Sequence, residues 1–505
     1  MARASYKSLA FSLPRKLVQQ MSLFNKNITI ITFIVASIFL LSLYFESTIS
    51  FSTSLLQGIF VLLLIILVIF FFTSNNHELL YNSVSPIILF SIGYLIVFFQ
   101  SPFDLLLGNF TPNDDIFVSP DLILKTCFLS TCGLMALFVG YLWYSPQMNS
   151  RITLHKEKEN INMRPLRILF IISSLFYILT LVQSMREGLV ITQEVLEERA
   201  GGILNRVSTL FRSIYFSYLA YVLYNIQSNN GLVRNKGFIK SFGVLEFILF
   251  SIVVFLILLS GRRTAAFLFI ISFIWSYLHI IKKKINLLYL VGGILLLSLF
   301  STFIGFTRNL NPSMSLSARL ALANNNDKYA QSFSPSTAEL AGSGATLNYA
   351  ISYVPQKHDY LYGSFHIRNL CSAIPFSQYV TRFIFDPDKK YISSAYFITY
   401  IIQGEFYEYG NGTSILADLY LNYGPIGVII GIFLFGMFLR WAEDKLRRRN
   451  SLIAILLYLY LLSYVFLLPR YGILDPINYI AFSIIICLIY KAVGLKRVGL
   501  IINNK

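Results

Sequence analysis

The chain has 505 residues, of which 56% are hydrophobic and only 13% are charged, and its mean hydropathy is +0.64. This composition excludes an ordinary water-soluble protein of this size. The formal net charge of +17 would suggest a nucleic-acid partner in a soluble protein, but in a membrane protein the cytoplasmic loops collect Lys and Arg for topological reasons.

Continuous apolar stretches predict an all-α polytopic membrane protein, because about 20 apolar residues suffice to cross a bilayer as a helix. In chain order, twelve transmembrane helices are predicted over residues 28–45, 55–72, 83–100, 122–144, 166–185, 207–227, 242–260, 264–281, 285–306, 415–439, 451–468 and 476–490.

The distribution of charge predicts that both termini are cytoplasmic. With that orientation the cytoplasmic segments hold 24 Lys and Arg against 5 acids, whereas the external segments hold 14 against 17. The opposite orientation would place the basic runs at 282–284 and 447–449 on the external face. The basicity is therefore a topology signal, and we expect no nucleic-acid partner.

The predicted helices divide the chain into three parts. Residues 1–306 carry helices 1–9 with short loops, 307–414 form one large external loop or cap, and 415–505 carry helices 10–12 and a cytoplasmic tail. Loops of this length usually carry function. The large loop is rich in aromatic residues, which either stack against sugar rings or pack the cap and its membrane interface. The candidates for glycan binding are Tyr360, Tyr362, Tyr396, Tyr407 and Asn422.

Arginine is unusually frequent among the external basic residues, where membrane insertion does not favour positive charge. Its planar fork matches phosphate and carboxylate oxygens, so the bias indicates anion recognition, such as of a pyrophosphate. Arg262 and Arg263, at the tip of a tight hairpin between two apolar spans, are the first candidates. Alternatively, these arginines snorkel to lipid headgroups or pair with acids such as Asp418 or Glu405. The further candidates for this anion are Arg308, Arg368 and Arg470.

The tenth predicted span begins with polar residues on one helical face. Ser414, Asp418 and Asn422 are spaced four apart, near the external end of the bundle. An acid at this depth is costly without a partner, so Asp418 is either functional or ion-paired with an arginine. Gly424 and Pro425 permit a kink or a close helix approach.

The layout and two local passages resemble the O-antigen polymerase family, the Wzy-type polymerases of oligosaccharide repeat units. The passages are SGRRTAAFLF at 260–269 and GNGTSILADLYLNYGPIGVIIGIFLFG at 410–436. The resemblance implies a fold similar to the GT-C-like lipid-carrier glycosyltransferases and a location in the bacterial inner membrane, with the large loop in the periplasm. It also implies transfer of a growing glycan from undecaprenyl diphosphate to a sugar hydroxyl of a lipid-linked repeat unit. Membrane lipids and a chain-length-regulating co-polymerase are the other partners that it implies.

The chemistry implied by the resemblance is an inverting displacement without a metal or other cofactor. Arginines would stabilise the departing diphosphate, and a base would assist the acceptor hydroxyl. His366 is the preferred base, with Asp418 and Glu405 as carboxylate competitors. An O-antigen ligase is the closest alternative, because it uses the same donor. A transporter of lipid-linked sugars is disfavoured, because few charges lie within the spans and no internal repeat is visible.

Overall fold

The structure is a computed structural model, and it describes most of the chain. The described residues are 15–46, 50–73, 85–144, 163–186, 203–228, 235–260, 263–281, 292–293, 331–374, 377, 381, 384–385, 388–406, 410–446 and 451–502.

Helices and the turns between them account for these residues, with no β-strand in the described ranges. The helices are α1 (Arg15–Phe45), α2 (Thr53–Thr73), α3 (Pro86–Leu106), α4 (Pro120–Trp143), α5 (Arg164–Arg186), α6 (Ile203–Ser228), α7 (Asn235–Phe242), α8 (Val244–Leu259), α9 (Arg263–Ile281), α10 (Pro335–Gly342), α11 (Ala345–Tyr353), α12 (Ser364–Ser372), α13 (Ser394–Gln403), α14 (Ile415–Trp441), α15 (Leu452–Tyr464) and α16 (Ile477–Ile502). Short 3₁₀ turns lie at Lys389–Tyr391 and Leu468–Arg470, and a π-helical turn, Ala442–Leu446, extends α14.

Six described helices are long and apolar enough to cross a membrane, which confirms a polytopic helical protein. They cover Asn25–Phe45, Thr53–Thr73, Pro86–Leu106, Pro120–Trp143, Arg164–Gln183 and Ile415–Leu446. Shorter apolar helices cover Val244–Leu259, Thr264–Leu278, Leu452–Tyr464 and Ile477–Ala492. The predicted span at 207–227 lies within α6, and nearly all of the one at 285–306 lies outside the described residues. The count of twelve and the orientation remain predictions.

Helix α4 is the centre of the first group of helices, and it is buried along nearly its whole length. It packs against α1, α2, α3 and α14. Glycines permit the close approach of α4 and α14, because a β-carbon at Gly140 would lie 2.0 Å from the Phe433 carbonyl oxygen and one at Gly436 would lie 2.2 Å from that of Leu137. A second group is formed around α6, which packs against α5, α9, α15 and α16.

The described helices of the predicted large loop rest on the ends of these long helices. Helix α10 packs against α3, α11 packs against α4, α13 and α14, and α12 packs against α16. Buried Asp104 of α3 anchors the segment before α10, because its carboxylate accepts hydrogen bonds from the Ser332 hydroxyl and the Phe333 amide, both at 2.6 Å. Helix α12 lies beside the first turns of α14 and α16, where His366 contacts Asp418 and the Ser372 hydroxyl donates to Asn478.

Candidate active site

A histidine and a carboxylate predicted from the sequence meet where α12 crosses the start of α14. His366 lies in α12, and its Nε2 atom is 2.9 Å from Oδ2 of Asp418 in α14. Both residues are buried, at 7% and 1% exposure. The two residues are 52 positions apart in the chain, and the fold brings them into contact. The sequence allowed an arginine as the partner of Asp418, but the partner in the described structure is a histidine.

Asp418 is also bound by the turn that precedes α16. The backbone N–H of Ile473 donates to Asp418 Oδ2 at 3.1 Å, so one carboxylate oxygen contacts two donors. The other oxygen, Oδ1, is buried and has no hydrogen-bond partner among the described residues, and the same is true of Oδ1 of Asn422. Asn422 donates from its amide to the Asp418 carbonyl at 2.8 Å. Two buried oxygen atoms in the site therefore have unused capacity to accept hydrogen bonds.

The second ring nitrogen of His366 points towards the more exposed side of the site. Its Nδ1 atom is 3.0 Å from the hydroxyl of Tyr423, a residue of α14 that is 46% exposed. Gly363, with φ of +84°, precedes α12, and a β-carbon there would lie 2.6 Å from the Tyr423 hydroxyl. Tyr423 therefore reaches His366 because residue 363 has no side chain.

The predicted distortion of α14 is present at Gly424. Its φ of 70° and ψ of −169° interrupt the helix immediately before Pro425. A β-carbon at Gly424 would lie 3.0 Å from the ring of Tyr360, whose ring centroid is 6.0 Å from that of Tyr420. The kink separates the buried first third of α14, which holds Asp418 and Asn422, from the longer part that follows.

A second carboxylate, Asp475, lies close to the His366–Asp418 pair and was not singled out from the sequence. Its Oδ2 accepts the Gly472 N–H at 2.9 Å, and its Oδ1 is 3.4 Å from the Asn369 amide. Burial and the negative charge of Asp418 raise the pKa of Asp475 to about 7, although the two hydrogen bonds and His366 oppose that shift.

Tyr471 connects this cluster to the predicted arginine hairpin. Burial raises the pKa of Tyr471, while the charges of Arg470 and Arg212 and a hydrogen bond with the Thr264 side chain oppose the rise. Thr264 follows directly after Arg263, the first residue of α9. The end of the hairpin therefore lies beside the turn that carries Ile473 and Asp475.

The other predicted catalytic and anion-binding residues are more dispersed. Glu405 is exposed, and no described contact joins it to His366 or Asp418. Arg368 donates to the Tyr391 carbonyl at 2.5 Å, and Arg470 pairs with Glu339 at 3.3 Å. The prediction also names Arg262 and Arg308, which lie outside the described residues, and Arg263, of which only the backbone is described.

The predicted glycan-binding residues fall into different environments. Asn422 is buried beside Asp418, whereas Tyr360 and Tyr396 are half-buried. Tyr362 is 77% exposed, and Tyr407 lies outside the described residues. Of the five, Asn422 and Tyr360 are placed by described contacts within or next to the His366 cluster.

The arrangement can perform proton transfer at a buried site. A carboxylate that accepts the Nε2 hydrogen of His366 fixes the tautomer in which Nδ1 carries the lone pair. Nδ1 then faces the hydroxyl of Tyr423, on the more exposed side of the pair. Among the described residues, no group of three or more His, Cys, Asp or Glu is arranged to hold a metal ion.

Fold and site together define a helical integral membrane protein with a buried histidine–carboxylate pair. The family model described as O-antigen polysaccharide polymerase Wzy matches residues 28–497, nearly the whole chain. The chain therefore belongs to the O-antigen polymerase Wzy family, which confirms the resemblance seen in the sequence and makes the protein a glycosyltransferase-type polymerase acting on lipid-linked oligosaccharides. Searches of curated proteins and of solved structures found no match.

Proposed function

We propose that the protein polymerises undecaprenyl-diphosphate-linked repeat units at the periplasmic face of the bacterial inner membrane, with His366 as the general base. The observation that carries this proposal is the 2.9 Å contact between His366 Nε2 and Asp418 Oδ2, within a chain of the Wzy family. A histidine held in one tautomer by a carboxylate suits proton abstraction from a hydroxyl group.

In the proposed reaction, the acceptor sugar hydroxyl takes the place of the Tyr423 hydroxyl beside His366 Nδ1, or passes its proton through it. Nδ1 accepts the proton while the hydroxyl oxygen forms a bond to the anomeric carbon of the donor glycan. The bond from that carbon to the diphosphate oxygen breaks on the opposite face, and its electron pair leaves with undecaprenyl diphosphate. The new linkage therefore has inverted configuration, and Asp418 stabilises the imidazolium that forms.

Arginine side chains supply the remaining electrostatic stabilisation in this proposal, and the displacement proceeds without a metal ion. Negative charge develops on the diphosphate as the bond breaks, and guanidinium groups match its oxygens in geometry and charge. Arg262 and Arg263 are the first candidates, because Thr264 next to them contacts Tyr471 beside the cluster. The other candidates are Arg308, Arg368 and Arg470.

The buried Oδ1 atoms of Asp418 and Asn422 would accept hydrogen bonds from sugar hydroxyls, and aromatic rings would stack on the sugar faces. Tyr360, Tyr362, Tyr396 and Tyr407 are proposed for that stacking. The three-part organisation with a periplasmic cap over residues 307–414, the twelve spans with cytoplasmic termini and a co-polymerase partner also belong to this proposal.

The test is elongation of lipid-linked repeat units by purified protein in detergent, where no compartments exist and transport cannot explain a product. We expect His366→Ala and Asp418→Asn to lower kcat by about 10²- to 10⁴-fold, as loss of a base or of its carboxylate does. His358→Ala is the matched control, because His358 lies in the same loop but contacts Tyr391 and the Asp359 carbonyl instead.

Two outcomes would contradict the proposal. Full activity of His366→Ala, at equal membrane levels of protein, would show that His366 is not the general base. Transfer of glycan to lipid A core, with no elongation of lipid-linked repeats, would instead mark a ligase.

A further inference from the structure

The most unusual charge in the second group of helices is Arg212 of α6, which the sequence analysis did not select. Its Nη1 donates to the Tyr464 hydroxyl at 2.9 Å, and its guanidinium lies 4.1 Å from the ring centroid of Tyr479. Its Nε atom is buried and has no hydrogen-bond partner among the described residues. The tyrosines are neutral, so this environment solvates the cation without neutralising it.

Two other arginines of the long helices have a carboxylate beside them. Arg167 lies 2.9 Å from Glu246, and Arg440 lies 3.6 Å from Glu443. Arg212 takes part in no ion pair within the described part of the chain. A guanidinium held in a helical bundle without an anion is costly, and the unused Nε–H adds the penalty of an unsatisfied donor. An anion with accepting oxygens would satisfy both the charge and the unused Nε–H.

The position of Arg212 indicates where that anion comes from. Tyr471 lies within electrostatic range of Arg212, Arg470 and Asp475, and it contacts Thr264 at the end of the arginine hairpin. The turn that begins at Tyr471 also supplies the Ile473 amide to Asp418. The partners of Arg212, Tyr464 and Tyr479, lie at the end of α15 and near the start of α16, so Arg212 lies at the base of the hairpin whose connecting segment carries Ile473 and Asp475.

We propose that Arg212 binds a phosphate group through its Nε and a terminal nitrogen, and that this phosphate belongs to the diphosphate of the lipid carrier. The inference rests on the proposed function, because it assigns one more residue to the donor site. A phosphate offers several strong acceptor oxygens to the planar fork of arginine, whereas a single-point cation such as Lys contacts one. A phospholipid headgroup carries the same chemistry and is distinguished by the test.

The experiment measures binding of undecaprenyl diphosphate to the full-length protein in nanodiscs of phosphatidylcholine. We expect Arg212→Gln to weaken binding by about 10- to 100-fold, as loss of a charge-assisted hydrogen bond does, and Arg212→Lys to recover only part of it. Arg440→Gln is the matched control, since Arg440 is also half-buried but has Glu443 and the Tyr141 hydroxyl as partners. It should leave the affinity unchanged.

Unchanged affinity in a folded Arg212→Gln protein would overturn the inference. A second arm uses nanodiscs of phosphatidylglycerol: if Arg212→Gln changes stability only there and leaves undecaprenyl diphosphate binding intact, a headgroup occupies the site and the carrier assignment is overturned. Failure of the proposed function looks different, because His366→Ala would then retain activity whatever Arg212 binds. If Arg212→Gln fails to fold, Arg212→Lys is measured instead, and an affinity equal to that of the natural protein overturns the inference.

Discussion

The raised pKa of Asp475 predicts a specific pH dependence of stability. An isolated aspartate has a pKa of about 3.9, whereas burial and the charge of Asp418 raise that of Asp475 to about 7. Between these two pH values the folded protein holds a proton that the unfolded chain has lost. The contribution of Asp475 to stability is therefore fully present below about pH 4, is lost as pH rises to about 7, and is constant above that.

The magnitude follows from the size of the shift. Each pH unit within this window changes the free energy of unfolding by about 1.4 kcal/mol, so the rise from pH 5 to pH 8 should cost about 3 kcal/mol. Asp475→Asn removes the titration but keeps the shape of the side chain. It gives up one of the hydrogen bonds from Gly472 and Asn369, which costs about 1 kcal/mol.

The measurement is unfolding of the purified protein in mixed detergent and dodecyl sulfate at several pH values. We expect the variant to be less stable than the natural protein by about 1 kcal/mol at pH 4, about equally stable at pH 5, and more stable by about 3 kcal/mol at pH 8. Asp359→Asn, at an exposed position, should show the same free energy of unfolding as the natural protein at every pH. Parallel curves for the natural protein and Asp475→Asn between pH 5 and 8 would refute the reasoning.

Three further changes test the surroundings of the site. Gly363→Ala should lower kcat by at least about tenfold, because an alanine strained at positive φ would also displace the Tyr423 hydroxyl from His366 in an elongation assay. Asp104→Asn should lower the free energy of unfolding by about 2–3 kcal/mol, measured in dodecyl sulfate titrations, because an amide cannot replace all the acceptors of the carboxylate. Arg262→Lys should lower kcat/KM about tenfold, because the charge remains but the planar fork is lost.

Each of these has a control in the same chain. Gly404 also has a positive φ, of +82°, but nothing lies within 4 Å of an added β-carbon, so equal loss of activity in Gly404→Ala would contradict the crowding argument. Asp359→Asn should not affect unfolding, and a loss equal to that of Asp104→Asn would show a general charge effect. Arg440→Lys should retain the kcat/KM of the natural protein. An unchanged kcat/KM in Arg262→Lys would show that the planar guanidinium is not required at residue 262.

The membrane character of the fold was predictable because continuous stretches of about 20 apolar residues can be recognised directly in the sequence. The six long apolar helices overlap predicted spans, and the kink at Gly424 is one of the two alternatives, a kink or a close helix approach, that the adjacent Gly and Pro permit. Helix ends were less predictable, because polar residues continue a helix when neighbouring helices cover them. Helix α6, for example, begins at Ile203, four residues before the predicted span.

The residues of the candidate site were partly predictable. His366 and Asp418 were selected for their chemistry, and the fold brings them together, but their roles remain predictions. Asp475 was missed because an acid in a short turn between two spans resembles an ordinary external charge. Its one local signal is its place just before α16, where it accepts the Gly472 N–H. Arg212 was passed over because burial beside tyrosines, without an acid, cannot be read from one sequence.

The hydrogen bond from the Ile473 amide to Asp418 has a consequence for biosynthesis. His366 and Asp418 emerge from the ribosome before the turn whose backbone amide binds the carboxylate. A chain interrupted after residue 470 would contain the histidine and the aspartate but neither Ile473 nor Asp475. In the proposed mechanism, the site is therefore complete only after the segment that carries Ile473 and Asp475 has been synthesised.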